Sequence, residues 1–170
     1  MLVCAVTATV LLFTFAARVV LVSGPSMRET LQHQDCLLVV NAHLCGGFEA
    51  GDIVIIRKES FKDGEPIVKR VIATEGQTVD IDYESNSVYV DGERLDEPYI
   101  KEVMQDVTQT GPYRTQTHIE VPEGSIFVMG DNRNNSTDSR DTRVGCVDER
   151  DIMGAAVLRV LPFGKIGAAQ

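Results

Sequence analysis

Hydrophobic and polar positions divide the chain near residue 22. Residues 1–22 form an almost unbroken apolar run whose only charge is Arg18. A helix of about 20 apolar residues crosses a bilayer, so the run predicts a transmembrane anchor over 1–22. A cleaved leader fits less well. The run has no basic start, and the small pair Ala16-Ala17 is followed by Arg18 and further apolar residues. Arg18 sits close enough to the end of the span to reach the interface. No basic residue precedes the run, while Arg18 and Arg28 lie at or after its end. A naive count by the rule of positive charge inside would put the bulk of the chain in the cytoplasm, but charge alone leaves the orientation open.

From Ser23 onward the pattern changes to short β-branched segments separated by turn residues. The segments predict strands over 37–41, 53–57, 67–73, 78–82, 87–90, 117–121, 126–129 and 156–161. Gly46-Gly47, Asp63-Gly64, Glu75-Gly76, Asp91-Gly92 and Glu123-Gly124 are turn signals. The stretch 87–95 reads as a hairpin closed by Asp91-Gly92. Many short strands without long helical patterns between them predict a mostly β domain over 23–170, barrel-like or folded as small antiparallel sheets. Residues 97–116 are polar and weakly patterned and read as an excursion from the sheet.

Composition narrows the function classes. The chain has 170 residues, 44% of them apolar, which suits one folded domain of ordinary size. Its net charge is −9, and it carries no basic stripe, which disfavours nucleic acid as a partner. Cys4, Cys36, Cys45 and Cys146 lack metal-type spacing, so no zinc site is expected. Cys36 and Cys45 are close enough in sequence to meet across a turn in an oxidising compartment.

Three segments differ from ordinary strand or turn filler. Lys69-Arg70 interrupts the apolar strand 67–72. Alternation puts Lys69 on one face with Ile67 and Val71, where burial would depress the amine pKa. A shift from about 10.4 to between about 7 and 8 costs roughly 3–5 kcal/mol and yields a general base near neutral pH. A bland alternative is an edge lysine that snorkels to water. Ser26 lies in a Gly-Pro turn directly after the anchor, where a turn can expose a hydroxyl and aim its own N–H at an oxyanion. It is not in a G-x-S-x-G elbow, and His33, His43 and His118 lie in no recognisable triad motif. The third segment, 130–140, packs Asp131, Arg133, Asp138 and Arg140 among Asn and Ser. Read as a calcium loop from Asp131, it fails at its third, sixth and twelfth positions.

In order and spacing, the apolar start, 22–31, 51–58, 69–81 and 130–140 resemble the bacterial type I signal peptidases. These are membrane-anchored serine endopeptidases that remove signal peptides from exported preproteins. The resemblance implies two small antiparallel sheets on one N-terminal transmembrane helix, with the catalytic domain on the extracytoplasmic side of a bacterial plasma membrane. It implies Ser26 as nucleophile and Lys69 as general base. Ser136 would bond and orient the lysine amine, and Asp138–Arg140 would support that wall. Gly24 would lie in the oxyanion region, and Val22, Met27, Leu31, Ile67 and Val68 would line a pocket for small residues of the Ala-x-Ala type. One apolar wall would then both select the substrate and desolvate Lys69. Preproteins and membrane lipid are the implied partners, and no metal or organic cofactor is implied. Glu29 departs from the family box, which carries Pro there. Gly24 replaces a serine found in some members, Val144 lies near the place of a common aromatic, and no basic flank precedes the anchor. Self-cleaving repressors share such a dyad but need a DNA-binding helix-turn-helix, which is missing here. A catalytically silent binding module on the same scaffold is the other rival, separated by a peptide-cleavage assay.

Overall fold

A computed structural model of the chain describes residues 1–11, 15–100, 102–105 and 116–169. One helix, α1 (Leu2–Leu11), precedes the strands β1 (Ala17–Leu21), β2 (Cys36–Asn41), β3 (Ile53–Ile56), β4 (Ile67–Ala73), β5 (Thr78–Asp82) and β6 (Ser87–Val90). They are followed by β7 (Glu93–Arg94), β8 (His118–Glu120), β9 (Ser125–Met129), β10 (Val147–Asp148), β11 (Ile152–Leu161) and β12 (Gly167–Ala168).

The strands form two antiparallel sheets. The larger is eight-stranded, ordered β1-β2-β11-β3-β4-β9-β10, with β12 on the free edge of β11. The smaller, ordered β7-β6-β5-β8, joins the three consecutive strands β5, β6 and β7 to a returning one, β8. Asp91 and Gly92 have φ of 53° and 81°. Positive φ at both central residues makes the two-residue turn that matches strand twist. Register shifts in β11 let this one strand pair first with β3 and then with β12 while holding β2 throughout. Bulges of this kind bend a strand and curl its sheet.

Both faces of the larger sheet are covered, so its central strands lack polar alternation. All four β3 residues are buried. Leu37, Val39, Ile53, Ile55 and Val68 pack on one side, and Val54, Ile56, Val71, Ile126 and Val128 on the other. A third group, built from Ile72, Val79, Val88, Ile119 and Phe127, joins the two sheets.

The expectation of one transmembrane helix over 1–22 is corrected. Ala17–Leu21 is a strand that pairs along its whole length with β2, from Ala17 opposite Val40 to Leu21 opposite Cys36. No helix among the described residues is long and apolar enough to cross a membrane. The physical reason is the ambiguity of short apolar runs: β-branched Val19 and Val20 suit a strand as well as a helix. Arg18 is also tied to the sheet, its Nε donating to Asn41 Oδ1 at 2.8 Å. Residues 17–21 of the run therefore belong to the larger sheet. Much of this apolar surface stays uncovered. Leu21 is 67% and Phe163 81% exposed, and Val19, Val157, Leu161 and Ile166 are exposed as well.

Cys36 and Cys45 do not pair. They lie at opposite ends of β2 and its following turn, and both are free thiols. The 97–116 excursion contains no strand among its described residues; 101 and 106–115 lie outside them.

Candidate active site

Lys69 enters the site from the middle of β4, where its neighbours in register are Val54 on β3 and, one residue on, the Arg70–Met129 pair with β9. The side chain is 2% exposed. Its amine donates to Ser26 Oγ at 2.9 Å and to the Val68 carbonyl at 2.9 Å. None of the ion pairs among the described residues involves it. Burial therefore dominates, and the amine pKa is lowered from its ordinary value to about 8.

Ser26 is held from both sides. Gly24, at φ +92°, lets the chain leave β1 and turn back. Arg28 N–H closes the turn onto Pro25 O at 2.9 Å, and Leu31 N–H bonds Met27 O at 2.8 Å. From the opposite wall, Asn132 N–H donates to the Ser26 carbonyl at 3.0 Å, and Asn132 Nδ2 donates to Pro25 O at 3.1 Å. Gly130 makes this approach possible, because a Cβ there would lie 2.6 Å from the Ser26 carbonyl oxygen. Glu29 sits at φ +89°. A proline ring fixes φ near −65°, so a Pro at position 29 could not adopt this turn.

Buried ion pairs build the opposite wall. Asp138 lies 2.8 Å from Arg140 Nε and accepts from Gly130 N–H at 2.9 Å. Burial opposes its ionisation, but the adjacent Arg140 guanidinium prevails and holds the carboxyl below its usual range. Arg70 makes a two-pronged contact to Asp131, at 2.9 and 2.7 Å. Thr30 Oγ1 donates to the same carboxylate, which ties the Ser26 turn to β4. Arg133 pairs with Glu97 and donates to Gly130 O.

Two expectations change. Ser136 makes no hydrogen bond to Lys69. Its hydroxyl is buried without a well-formed partner and faces Asp138, and the second lysine bond goes to Val68 O. The expected pocket also divides. Val22, Met27, Leu31 and Val68 pack in one cluster, whereas Ile67 packs against the other, with Val54 and Val71. The pleat causes this, because neighbours along a strand point to opposite faces. Lys69 shares its face with Ile67 and not with Val68. The single wall expected to select substrate and desolvate the lysine is thus two walls. Thr30, Asn132, Glu97 and Tyr99 were not singled out in the sequence. Only the clustering of complementary charges in 130–140 hinted that a partner such as Glu97 was needed.

The depressed amine predicts a stability signature. A lysine whose folded pKa lies below its unfolded value opposes folding below the folded pKa, and the penalty vanishes as pH rises past the unfolded one. A drop from about 10.5 to about 8 corresponds to about 3 kcal/mol at pH 7. Lys69→Met is expected to raise stability at pH 7 by about 1–3 kcal/mol, the loss of two amine hydrogen bonds reducing the full value. The gain should shrink by pH 10.5. Denaturant melts at the two pH values test this; an equal or negative change at both would contradict a desolvated amine.

Comparisons with known proteins agree with this architecture. Residues 1–161 match the family model described as signal peptidase, peptidase S26. Signal peptidase I U of Bacillus subtilis (strain 168) is 39% identical over 152 residues, covering 88% of this chain and 79% of that protein. A probable signal peptidase I-1 of Synechocystis is 34% identical over 175 residues, covering 98% of this chain and 83% of that protein. The crystal structure of a signal peptidase I from Enterococcus faecalis V583 is 30% identical with a TM-score of 0.50. It covers 64% of this chain and 96% of that one. The chain therefore belongs to the signal peptidase family, peptidase S26.

Proposed function

We propose that this serine endopeptidase cleaves signal peptides from preproteins with a Ser26/Lys69 dyad. The observation that carries this reading is the buried Lys69 amine, in no ion pair among the described residues, 2.9 Å from the Ser26 hydroxyl. Neutral Lys69 accepts the hydroxyl proton as Ser26 Oγ bonds to the scissile carbonyl carbon. The resulting oxyanion is stabilised by the Ser26 N–H, beside Gly24. The C–N bond then breaks, and the lysine ammonium delivers its proton to the departing amine. In the second half, Lys69 deprotonates a water that attacks the acyl carbon, and Ser26 Oγ leaves and recovers the proton. Asp138, Arg140 and the Ser136 hydroxyl support the wall beside the lysine.

The apolar cluster of Val22, Met27, Leu31 and Val68 supports a pocket that admits Ala or Gly before the cut. The exposed apolar residues of β1, the end of β11 and α1 support contact with membrane lipid. Residues from Ser23 on would then face the extracytoplasmic side of a bacterial plasma membrane, where signal peptides present their cleavage sites.

Ser26→Ala and Lys69→Ala are each expected to lower cleavage of a preprotein in detergent by at least about 10³-fold without unfolding the domain. For the wild type, kcat/KM should rise with pH through an apparent pKa near 8. Activity near wild type from either variant would end the dyad reading. Val68→Ala should relax the preference for Ala over Leu at the cut while leaving the kinetic pKa within about half a unit, because Val68 and Lys69 occupy opposite faces. An unchanged Ala/Leu ratio would remove Val68 from the pocket. Protease added to intact spheroplasts should degrade residues 23–170; full protection would contradict the extracytoplasmic placement.

A further inference from the structure

Residues 97–100 and 102–105 belong to neither sheet, yet they hold two arginines that the site wall depends on. The Tyr99 ring lies under the Arg70 guanidinium, 4.0 Å from carbon to ring centroid. The Tyr99 hydroxyl donates to Glu97 Oε1 at 3.0 Å, and Glu97 pairs with the buried Arg133. Further along, Gln105 N–H donates to Asn134 Oδ1 at 2.9 Å, and Asn134 Nδ2 donates to Val103 O at 2.9 Å. Residues 97–99 and 103–105 are therefore two stretches of a strap, each fastened to the loop 130–135.

Each arginine leads to Ser26 through a short path. Arg70 fixes Asp131, which accepts from Thr30 in the Ser26 turn. Arg133 donates to Gly130 O, two residues before the Asn132 N–H that holds the Ser26 carbonyl. A guanidinium against an aromatic face loses the freedom to swing, while its in-plane N–H groups stay available for a carboxylate. We propose that Tyr99 is a positioning residue for the cleavage reaction. It clamps Arg70 over Asp131 and so fixes the Ser26 turn relative to Lys69. This assignment rests on the Ser26/Lys69 reading and adds to it an element from outside the sheets.

A positioning role has a kinetic signature. A turn displaced by a fraction of an ångström binds substrate as before but reacts more slowly. In the full chain in detergent, with a peptide spanning a signal-peptide cleavage site, Tyr99→Leu is expected to lower kcat at least tenfold with KM within threefold. Tyr99→Met, which keeps volume without a ring face, should behave like Tyr99→Leu. Tyr99→Phe keeps the ring and loses only the hydroxyl, so its kcat should stay within threefold of the wild type. Melting curves check folding of each chain. Wild-type kcat in Tyr99→Leu would overturn the assignment, as would a rise in KM alone or equal losses in Tyr99→Phe and Tyr99→Leu. Collapse of both non-aromatic variants would make Tyr99 a folding residue and also overturn it. Full activity in Tyr99→Leu beside an inactive Ser26→Ala would remove the strap assignment alone. Activity in Ser26→Ala would instead remove the dyad on which it rests.

Discussion

A lysine amine buried with no ion-pair partner among the described residues is the constraint around which this site is arranged. Water would hold the proton on Lys69 well above neutral pH; the apolar faces of β3 and β4 make that charge unfavourable and bring the pKa to about 8. The amine is then left with two acceptors, the Ser26 hydroxyl oxygen and the Val68 carbonyl. The structure carries this destabilisation because Lys69 lies in a strand paired on both sides and backed by two apolar clusters. Its neighbours cannot move away to admit water without breaking the register of β3, β4 and β9.

The Ser26 side needs the opposite kind of support. Its turn carries a positive φ at Gly24 and another at Glu29, and it is not part of a strand. Such a turn does not hold its geometry by itself. The wall formed by 130–140 supplies the constraint through hydrogen bonds to Pro25 O, Ser26 O and Thr30, and the approach is close enough that Gly130 has no room for a side chain. The charges that do this are buried, and buried pairs contribute little net stability while being costly to break singly. Their value here is geometric. Arg70–Asp131, Asp138–Arg140 and Arg133–Glu97 each fix one point of a surface facing the serine turn.

The sheet strands were legible where β-branched runs end in turn residues, as at 67–73 and 78–82, which the structure reproduces to the residue. The hairpin was legible from Asp91-Gly92 for the same local reason. The strand Ala17–Leu21 was not, since apolarity alone cannot separate a helix from a strand. What decided it was a distant partner, β2, and the Arg18–Asn41 bond. The contact between Ser26 and Lys69 joins residues 43 apart in sequence. Only the resemblance suggested it, because spacing says nothing about how a turn after β1 folds over β4. Ile67 packs apart from the other residues expected in the pocket, a separation from Val68 that strand alternation already carries. The roles of Glu97, Tyr99, Val103 and Gln105 were invisible, since they act through contacts with residues 70, 133 and 134 and lack any periodic pattern.

A direct titration of the Lys69 amine in the folded chain tests the central claim. With nitrogen-15 lysine labelling and Lys69→Met to assign the signal, NMR shifts followed from pH 6 to 11 are expected to show one amine titrating near 8. A Lys69 amine that titrates at 10 or above would contradict the account, because at pH 7 only about one amine in a thousand would then be neutral and able to take the Ser26 proton, against about one in ten at a pKa of about 8.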